Sequence, residues 1–272
     1  MAKMREQWWG SFSLALNETA QWDIGPLRVA VKHLPGEWLV AQQYLPDRVE
    51  DPEWRWSKEG EAVATLENGS LSRFVFESEP SYLEAVPALA DRPVVSRPFI
   101  PFTVPAGQKA VIYVSSPLWF TLAGGSPRQT LFETSIVRSS DTWFGPSTRE
   151  GELCYASPTL GRLHLEDLTD FAYRAITQVH IYNDADAPLL VERLNLPVPY
   201  LSLFQMPDNA AYTESVTMRQ IRGSSLTEFT INPLPDVIQG AAPKQIAAPR
   251  KSSQSNTLIR AFSSIKVPGF LE

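Results

Sequence analysis

Asp141-Thr-Trp-Phe-Gly-Pro-Ser-Thr-Arg-Glu-Gly-Glu-Leu-Cys-Tyr155 lies inside the stretch from Asp91 to Leu203, and it concentrates aromatic, turn-forming and charged residues more densely than any other part of the chain. The runs on either side of it decide the fold. Upstream, Ala110-Val-Ile-Tyr-Val114 follows the turn Thr103-Val-Pro-Ala-Gly-Gln-Lys109, and Pro117-Leu-Trp-Phe-Thr-Leu122 returns after two serines, which reads as a hairpin. Thr130-Leu-Phe-Glu-Thr-Ser-Ile-Val137 is the next strand. Downstream, Ala175-Ile-Thr-Gln-Val-His-Ile-Tyr182 is apolar on both faces, and Asn183-Asp-Ala-Asp-Ala-Pro188 is rich in side chains that bond their own backbone. Leu189-Leu-Val-Glu-Arg-Leu-Asn-Leu196 then reads as the partner of that strand. Strand, turn and strand at such short spacing predict an all-β, antiparallel β-sandwich-like protein of two packed β layers or subdomains.

Towards the N-terminus the same pattern continues. Gly25-Pro26 turns into Leu27-Arg-Val-Ala-Val31, and Pro35-Gly36 turns into Glu37-Trp-Leu-Val-Ala-Gln-Gln43, a hairpin joined by a Pro-Gly pair. Trp8, Trp9, Trp22, Trp38, Trp54 and Trp56 place six of the eight tryptophans in the first 56 residues. They suit either a core of large side chains or aromatic platforms for a ligand. Between Pro80 and Ala90 the alternation fails, and Tyr82-Leu-Glu-Ala-Val86 reads as a helical turn or an irregular crossover. The expected organisation is therefore residues 1–85, a Trp-rich β region; 86–236, a central sandwich region; and 237–272, a tail. The 23 prolines, spread along the chain, argue against long helices, because each costs about 3 kcal/mol inside one.

Past Pro235 the composition changes. Ala241 to Asn256 is small, polar and basic, as in a flexible linker, and Leu258, Phe262 and Ile265 then fall at i, i+4 and i+7, the spacing of a short amphipathic helix. Such a helix docks on its own body, on a partner protein or on an anionic membrane surface. Lys244, Arg250, Lys251, Arg260 and Lys266 oppose Glu272 alone, so the tail carries +4 and the rest of the chain −10. An overall charge of −6 disfavours nucleic acid as the partner. One cysteine excludes an intrachain disulfide, and no apolar run approaches the roughly 18 residues of a membrane span. Glu6 and the serines that interrupt Trp8 to Leu16 do not suit a secretory signal. A cytoplasmic location is expected.

No recognised catalytic arrangement appears. The chain has no Gly-rich phosphate loop, no Gly-x-Ser-x-Gly elbow and no His-Glu-x-x-His pair, and its histidines are only His33, His164 and His180. Cys154 beside His164 or His180 is a conceivable thiolate pair, yet a lone cysteine between Leu153 and Tyr155 reads as a small buried hydrophobe. Asn183, Asp184 and Asp186 fall short of a calcium ligand set. Catalytic residues, cofactors and metal ligands are thus expected to be absent. The best contact surface is the central loop, with Trp143, Phe144, Ser147, Thr148, Arg149, Glu150 and Glu152, followed by the Arg92 and Arg97 stretch.

The runs Trp22-x-Ile-Gly-Pro-Leu27, Gly36-Glu-Trp38, Ala90-Asp-Arg-Pro-Val-Val-Ser-Arg-Pro98, Val114-Ser-Ser-Pro-Leu-Trp119, Asp141 to Tyr155 and Leu196-Pro-Val-Pro-Tyr-Leu-Ser202 resemble a prokaryotic family, domain-of-unknown-function family 432. The resemblance spans about Trp8 to Phe204, leaves the tail outside and implies no activity. The function expected from the residues is a non-catalytic protein-interaction or regulatory module that binds another protein, in one variant a membrane-embedded one. A carbohydrate or small-ligand binder is the alternative.

Overall fold

The structure is a computed structural model that describes residues 7–58, 69–147, 149–222, 227–234, 243–252 and 257–259, with Lys58 and 257–259 described by their backbone alone. Its described elements are strands and three single-turn 3-10 helices. The N-terminal part forms a five-stranded antiparallel sheet in the order Trp54–Lys58, Thr19–Ile24, Leu27–Leu34, Glu37–Tyr44, Ser70–Val75. Both expected turns are in place. Ile24 pairs with Leu27 across Gly25-Pro26, and Leu34 with Glu37 across Pro35-Gly36. Gly25 has φ +50°, and a Cβ there would sit 2.3 Å from the ring of Tyr173. That close approach seats the first hairpin on the central region, where the buried Tyr173 hydroxyl donates to the Val49 carbonyl at 2.9 Å.

Tyr82 to Val86 is neither a helical turn nor a crossover. Leu83–Ala88 is a strand that joins Gly10–Phe12, Trp119–Gly124 and Gln129–Ser135 in a four-stranded antiparallel sheet. The failed alternation has a cause: Leu83, Ala85 and Pro87 face the core, and the proline and alanine obscure the period. This sheet mixes strands from before and after residue 86. A single apolar cluster accordingly runs from Trp8 to Phe229.

The centre is the ten-residue strand Arg174–Asn183. Along one side it pairs with Lys109–Pro117, from Lys109 opposite Tyr182 to Pro117 opposite Arg174. On the other side it runs parallel to Ala211–Thr213 and Ser215–Gln220. Two expected hairpins are thereby corrected. Lys109–Pro117 does not pair with the run after it, because Trp119–Gly124 lies between Leu83–Ala88 and Gln129–Ser135. The partner of Arg174–Asn183 is not the 189–196 run either. That run is split, with Leu189–Val191 on Phe102–Val104 and Leu194–Leu196 on Val94–Pro98. Ser215–Gln220 and Thr227–Asn232 pair antiparallel beside the central strand.

The tail also differs from expectation. Lys244–Ala247, placed in a flexible linker by composition, is a strand on Leu203–Gln205, with Ile246 and Ala247 packed on the core. Arg250 anchors the segment after it, donating to Glu133 at 2.5 and 3.1 Å and to the Leu89 carbonyl at 2.6 Å. Leu258 lies in a strand, Thr257–Ile259 on Thr227–Asn232, and so does not begin a helix at that point. An open sheet edge supplies backbone partners that outweigh a three-residue helical spacing. Phe262 and Ile265 lie outside the described residues. No helix among the described residues is long and apolar enough to cross a membrane.

Candidate functional site

The two surfaces singled out in the sequence meet in one sheet. Its order is Asp141–Phe144, Glu152–Gly161, Val94–Pro98, Leu194–Leu196, and Val94–Pro98 runs parallel to Glu152–Gly161. This brings the Arg92 and Arg97 stretch beside the central loop. Arg92 reaches Asp141 at 3.2 Å and stacks 5.1 Å from the centre of the Tyr155 ring, while the Tyr155 hydroxyl donates to Asp91 at 3.0 Å. Burial and the Asp91 carboxylate push the Tyr155 hydroxyl above its usual range. Arg97, exposed, stands in register with Leu160.

Trp143 and Leu153 are directly paired across Asp141–Phe144 and Glu152–Gly161, and they remain 41% and 44% exposed. The indole is nevertheless held in place, because its Nε1 donates to the Ser147 carbonyl at 2.7 Å. Ser147 folds the loop further by accepting the backbone N–H groups of Glu150 at 3.1 Å and Arg149 at 3.3 Å through its Oγ. Gly145 allows this closure, since a Cβ there would lie 2.0 Å from the Glu150 carbonyl oxygen. At the other end of this sheet, Phe99 and Ile100, which follow the strand Val94–Pro98, are 56% and 68% exposed, and Arg162 stacks on Phe99 at 3.7 Å.

The opposite side of the hairpin is a small closed core. Phe144 and Cys154 pack with Val95 and are buried, so Phe144 is a structural residue and does not belong to the contact surface. The Glu152 carboxylate accepts from the Asn195 amide at 2.6 Å. Arg193 closes this core. Its guanidinium lies 5.3 Å from the Phe144 ring centre and donates to the Trp143 carbonyl at 3.1 Å and to Thr142 at 3.3 Å. Burial, then the neighbouring Arg97 charge, lowers its pKa. Nothing in the sequence marked Arg193 or Asn195, because both sit in a run that alternates like any strand. Thr148 lies outside the described residues.

Cys154 is fully buried, and its Sγ approaches Asn195 Oδ1 at 3.6 Å and the Glu152 carbonyl at 3.7 Å. Burial and the Glu152 charge push its thiol up to about 12. A thiol protonated throughout the physiological range is a poor nucleophile. Asp184 and Asp186 are engaged by Arg219 and Arg222, and Asn183 donates to the carbonyls of Val104 and Ala187, so that loop is a braced turn. No group of three His, Cys, Asp or Glu side chains placed to hold a metal occurs among the described residues.

The tryptophans divide. Trp8, Trp22 and Trp38 are core residues, whereas Trp9 and Trp54 are partly buried and Trp56 is 45% exposed. Trp8, Trp9, Trp22, Trp54 and Trp56 line one open groove with Phe12, on the far side of the five-stranded sheet from its Ser70–Val75 edge.

One family model matches residues 8–266, and its description is protein of unknown function (DUF432). The match runs well past Phe204 into the tail, further than the sequence resemblance alone reached. No curated protein and no solved structure matches.

Proposed function

This chain belongs to the DUF432 family of proteins of unknown function, and we propose that it is a non-catalytic protein-interaction module whose contact surface is the sheet edge that carries Trp143 and Leu153. The observation that carries this reading is the Trp143 and Leu153 pair: two large apolar side chains, directly opposed, about two-fifths exposed, with the indole already fixed by its bond to Ser147. Pre-ordering an aromatic anchor removes part of the rotamer cost of binding. Tryptophan and arginine dominate energetic centres of interfaces, and Arg92 lies close by, held on Asp141 and Tyr155, each two residues from the pair.

The partner in this reading is another protein, met in the cytoplasm. The charge-segregated tail makes a membrane-embedded partner the specific variant, with the basic segment near anionic lipid. The docked strand Lys244–Ala247 limits where the tail can be cut. Ending the chain at Gly240 would remove that strand and Arg250 together, so the tail is better probed by a chain ending at Ile259. Full-length protein and the double variant Trp143→Ser, Leu153→Ser are each used to capture partners from soluble and detergent-solubilised membrane fractions of the host. Both positions are exposed, so the fold should persist. A partner retained by the wild type and lost by the double variant supports the reading, and its fraction of origin separates the two variants of it. Equal recovery by both proteins, or no specific partner in either fraction, sinks it.

A further inference from the structure

We propose that the exposed tip Phe99-Ile100 and the arginine pair behind it, Arg97 and Arg193, form a site that docks on an anionic lipid surface, the arginines on headgroup phosphates and the tip in the interface. This site lies at the other end of the sheet from Trp143 and Leu153 and does not rest on the reading of that pair.

The charged half comes from strand register. Leu194 pairs with Ser96 in the antiparallel ladder of Leu194–Leu196 and Val94–Pro98, so one step further Arg193 stands opposite Arg97. Both lie two residues along from the paired Val95 and Asn195, and so on the same face of the sheet. Like charges opposed across a sheet destabilise it. Nothing among the described residues neutralises these two. Arg97 is exposed, and its side chain makes no ion pair or hydrogen bond there. Arg193 spends Nη2 on Thr142 and the Trp143 carbonyl, while its Nε is buried without an acceptor. Glu152, the acidic side chain on this face, is engaged by Asn195. Two adjacent guanidiniums without a carboxylate suit an oxyanion, and phosphate matches their fork of N–H donors.

The apolar half selects the source of that phosphate. Leu160 stands in register with Arg97 and Gly161 with Pro98, and the Phe99 N–H donates to the Gly161 carbonyl at 2.9 Å, so the 160–163 run lies against the 97–100 run. Beside the exposed Phe99 and Ile100, Leu160 and Leu163 are 42% and 49% exposed. Arg162, stacked on the Phe99 ring, adds a third guanidinium at the tip. Four large apolar side chains gathered in adjoining runs exceed the scattered exposure of an ordinary surface. Apolar groups at a tip with arginines behind them match the layering of a bilayer surface, where the tip meets the acyl boundary and the guanidiniums stay at headgroup level. A free phosphate would engage the arginines and leave the apolar cluster in water.

The test follows flotation of full-length protein with vesicles of phosphatidylcholine alone and of phosphatidylcholine containing about 30% phosphatidylglycerol. Binding to the anionic vesicles only is expected, weakened about tenfold or more by the double variant Phe99→Ser, Ile100→Ser and about fivefold by Arg97→Ala. All three positions are exposed, and unchanged circular dichroism establishes that the variants fold. Binding that these variants leave intact would assign lipid contact to the basic tail and overturn the proposal. Equal binding to neutral vesicles, or no binding to either kind, overturns it as well. Calorimetric titration with inorganic phosphate separates the sources: saturable binding that Arg97→Ala abolishes, without vesicle binding, would assign the pair to a soluble phosphate and refute the lipid site. A soluble host protein captured by the wild type and lost with the tip variant, again without vesicle binding, would assign the tip to a protein and refute it equally. The Trp143→Ser, Leu153→Ser variant should bind vesicles like the wild type, which keeps failure of this site distinct from failure of the interaction surface.

Discussion

Replacing Arg250 with alanine should release the C-terminal strap without unfolding the body. Arg250 joins three contacts from one side chain: a two-point ion pair with Glu133, a hydrogen bond to the Leu89 carbonyl and a stack 5.4 Å from the Trp119 ring centre. Fully exposed ion pairs contribute only about 0.2–1 kcal/mol, whereas hydrogen bonds to charged groups contribute about 1.5–3 kcal/mol. The pair here sits between these limits, with side chains 25% and 27% exposed. Adding about 0.5–1 kcal/mol for the stack gives roughly 2–3 kcal/mol after screening. That raises the open fraction of the strap about 30- to 150-fold. Because the strap can open locally, the global melting temperature should fall less than this figure implies. Hydrogen exchange should report the loss directly in peptides covering Leu203–Gln205 and Lys244–Ala247, whose backbones pair with each other. Trypsin cleavage at Lys244 should accelerate in parallel, and added salt should narrow the difference. Lys251→Ala is the control, since its ammonium lies 6.0 Å from the Tyr200 ring centre and should matter little. Exchange in Arg250→Ala within about threefold of wild type would refute the reasoning and leave strand pairing and the burial of Ile246 and Ala247 as the whole anchor.

Three further outcomes follow from the same geometry. Asp23 is raised by burial, but the hydrogen bonds and charges of Arg28 and Arg48 outweigh this and hold its carboxyl below the usual range. Asp23→Asn should therefore cost about 2 kcal/mol near neutral pH. A depressed carboxyl contributes above its unfolded pKa of roughly 3.9 and loses that contribution as pH falls through its lower folded value. The wild-type and mutant melting curves should then converge below about pH 4, and a pH-independent gap would refute the assignment. Gly145→Ala should open the 145–151 loop, costing about 1–3 kcal/mol and exposing the Trp143 indole N–H to exchange with solvent, read by NMR; a retained, protected resonance would contradict it. Cys154 should resist a disulfide reagent at pH 8 in the native protein and react readily in denaturant, a difference of about 100-fold or more. Rapid stoichiometric labelling of folded protein would show that the thiol is reachable after all.

The all-β character of this protein was legible in its residues, and so was every feature set by neighbours a few positions apart. Pro35-Gly36 and Gly25-Pro26 made turns because proline presets one dihedral angle and glycine accepts the next, whatever surrounds them. The central loop was recognisable for the same reason, since Gly145, Ser147 and Gly151 close it through contacts within seven residues. Strand partners were not legible. Alternation shows which side chains share a face, but it carries no direction or address, so adjacent runs were joined as hairpins where the fold instead pairs Lys109–Pro117 with Arg174–Asn183 and runs Glu152–Gly161 parallel to Val94–Pro98. Arg193 and Asn195 were invisible until Leu194–Leu196 met Val94–Pro98 and carried them to Phe144 and Cys154. Composition misled in the tail for a related reason. Lys-Gln-Ile-Ala is unremarkable alone, and it becomes a strand only because the Leu203–Gln205 edge offers it backbone partners and the core offers Ile246 a place. Local chemistry determined the turns and the strand-forming runs. The order of strands, and with it every surface on which this protein can act, was decided by which distant apolar faces could share one core.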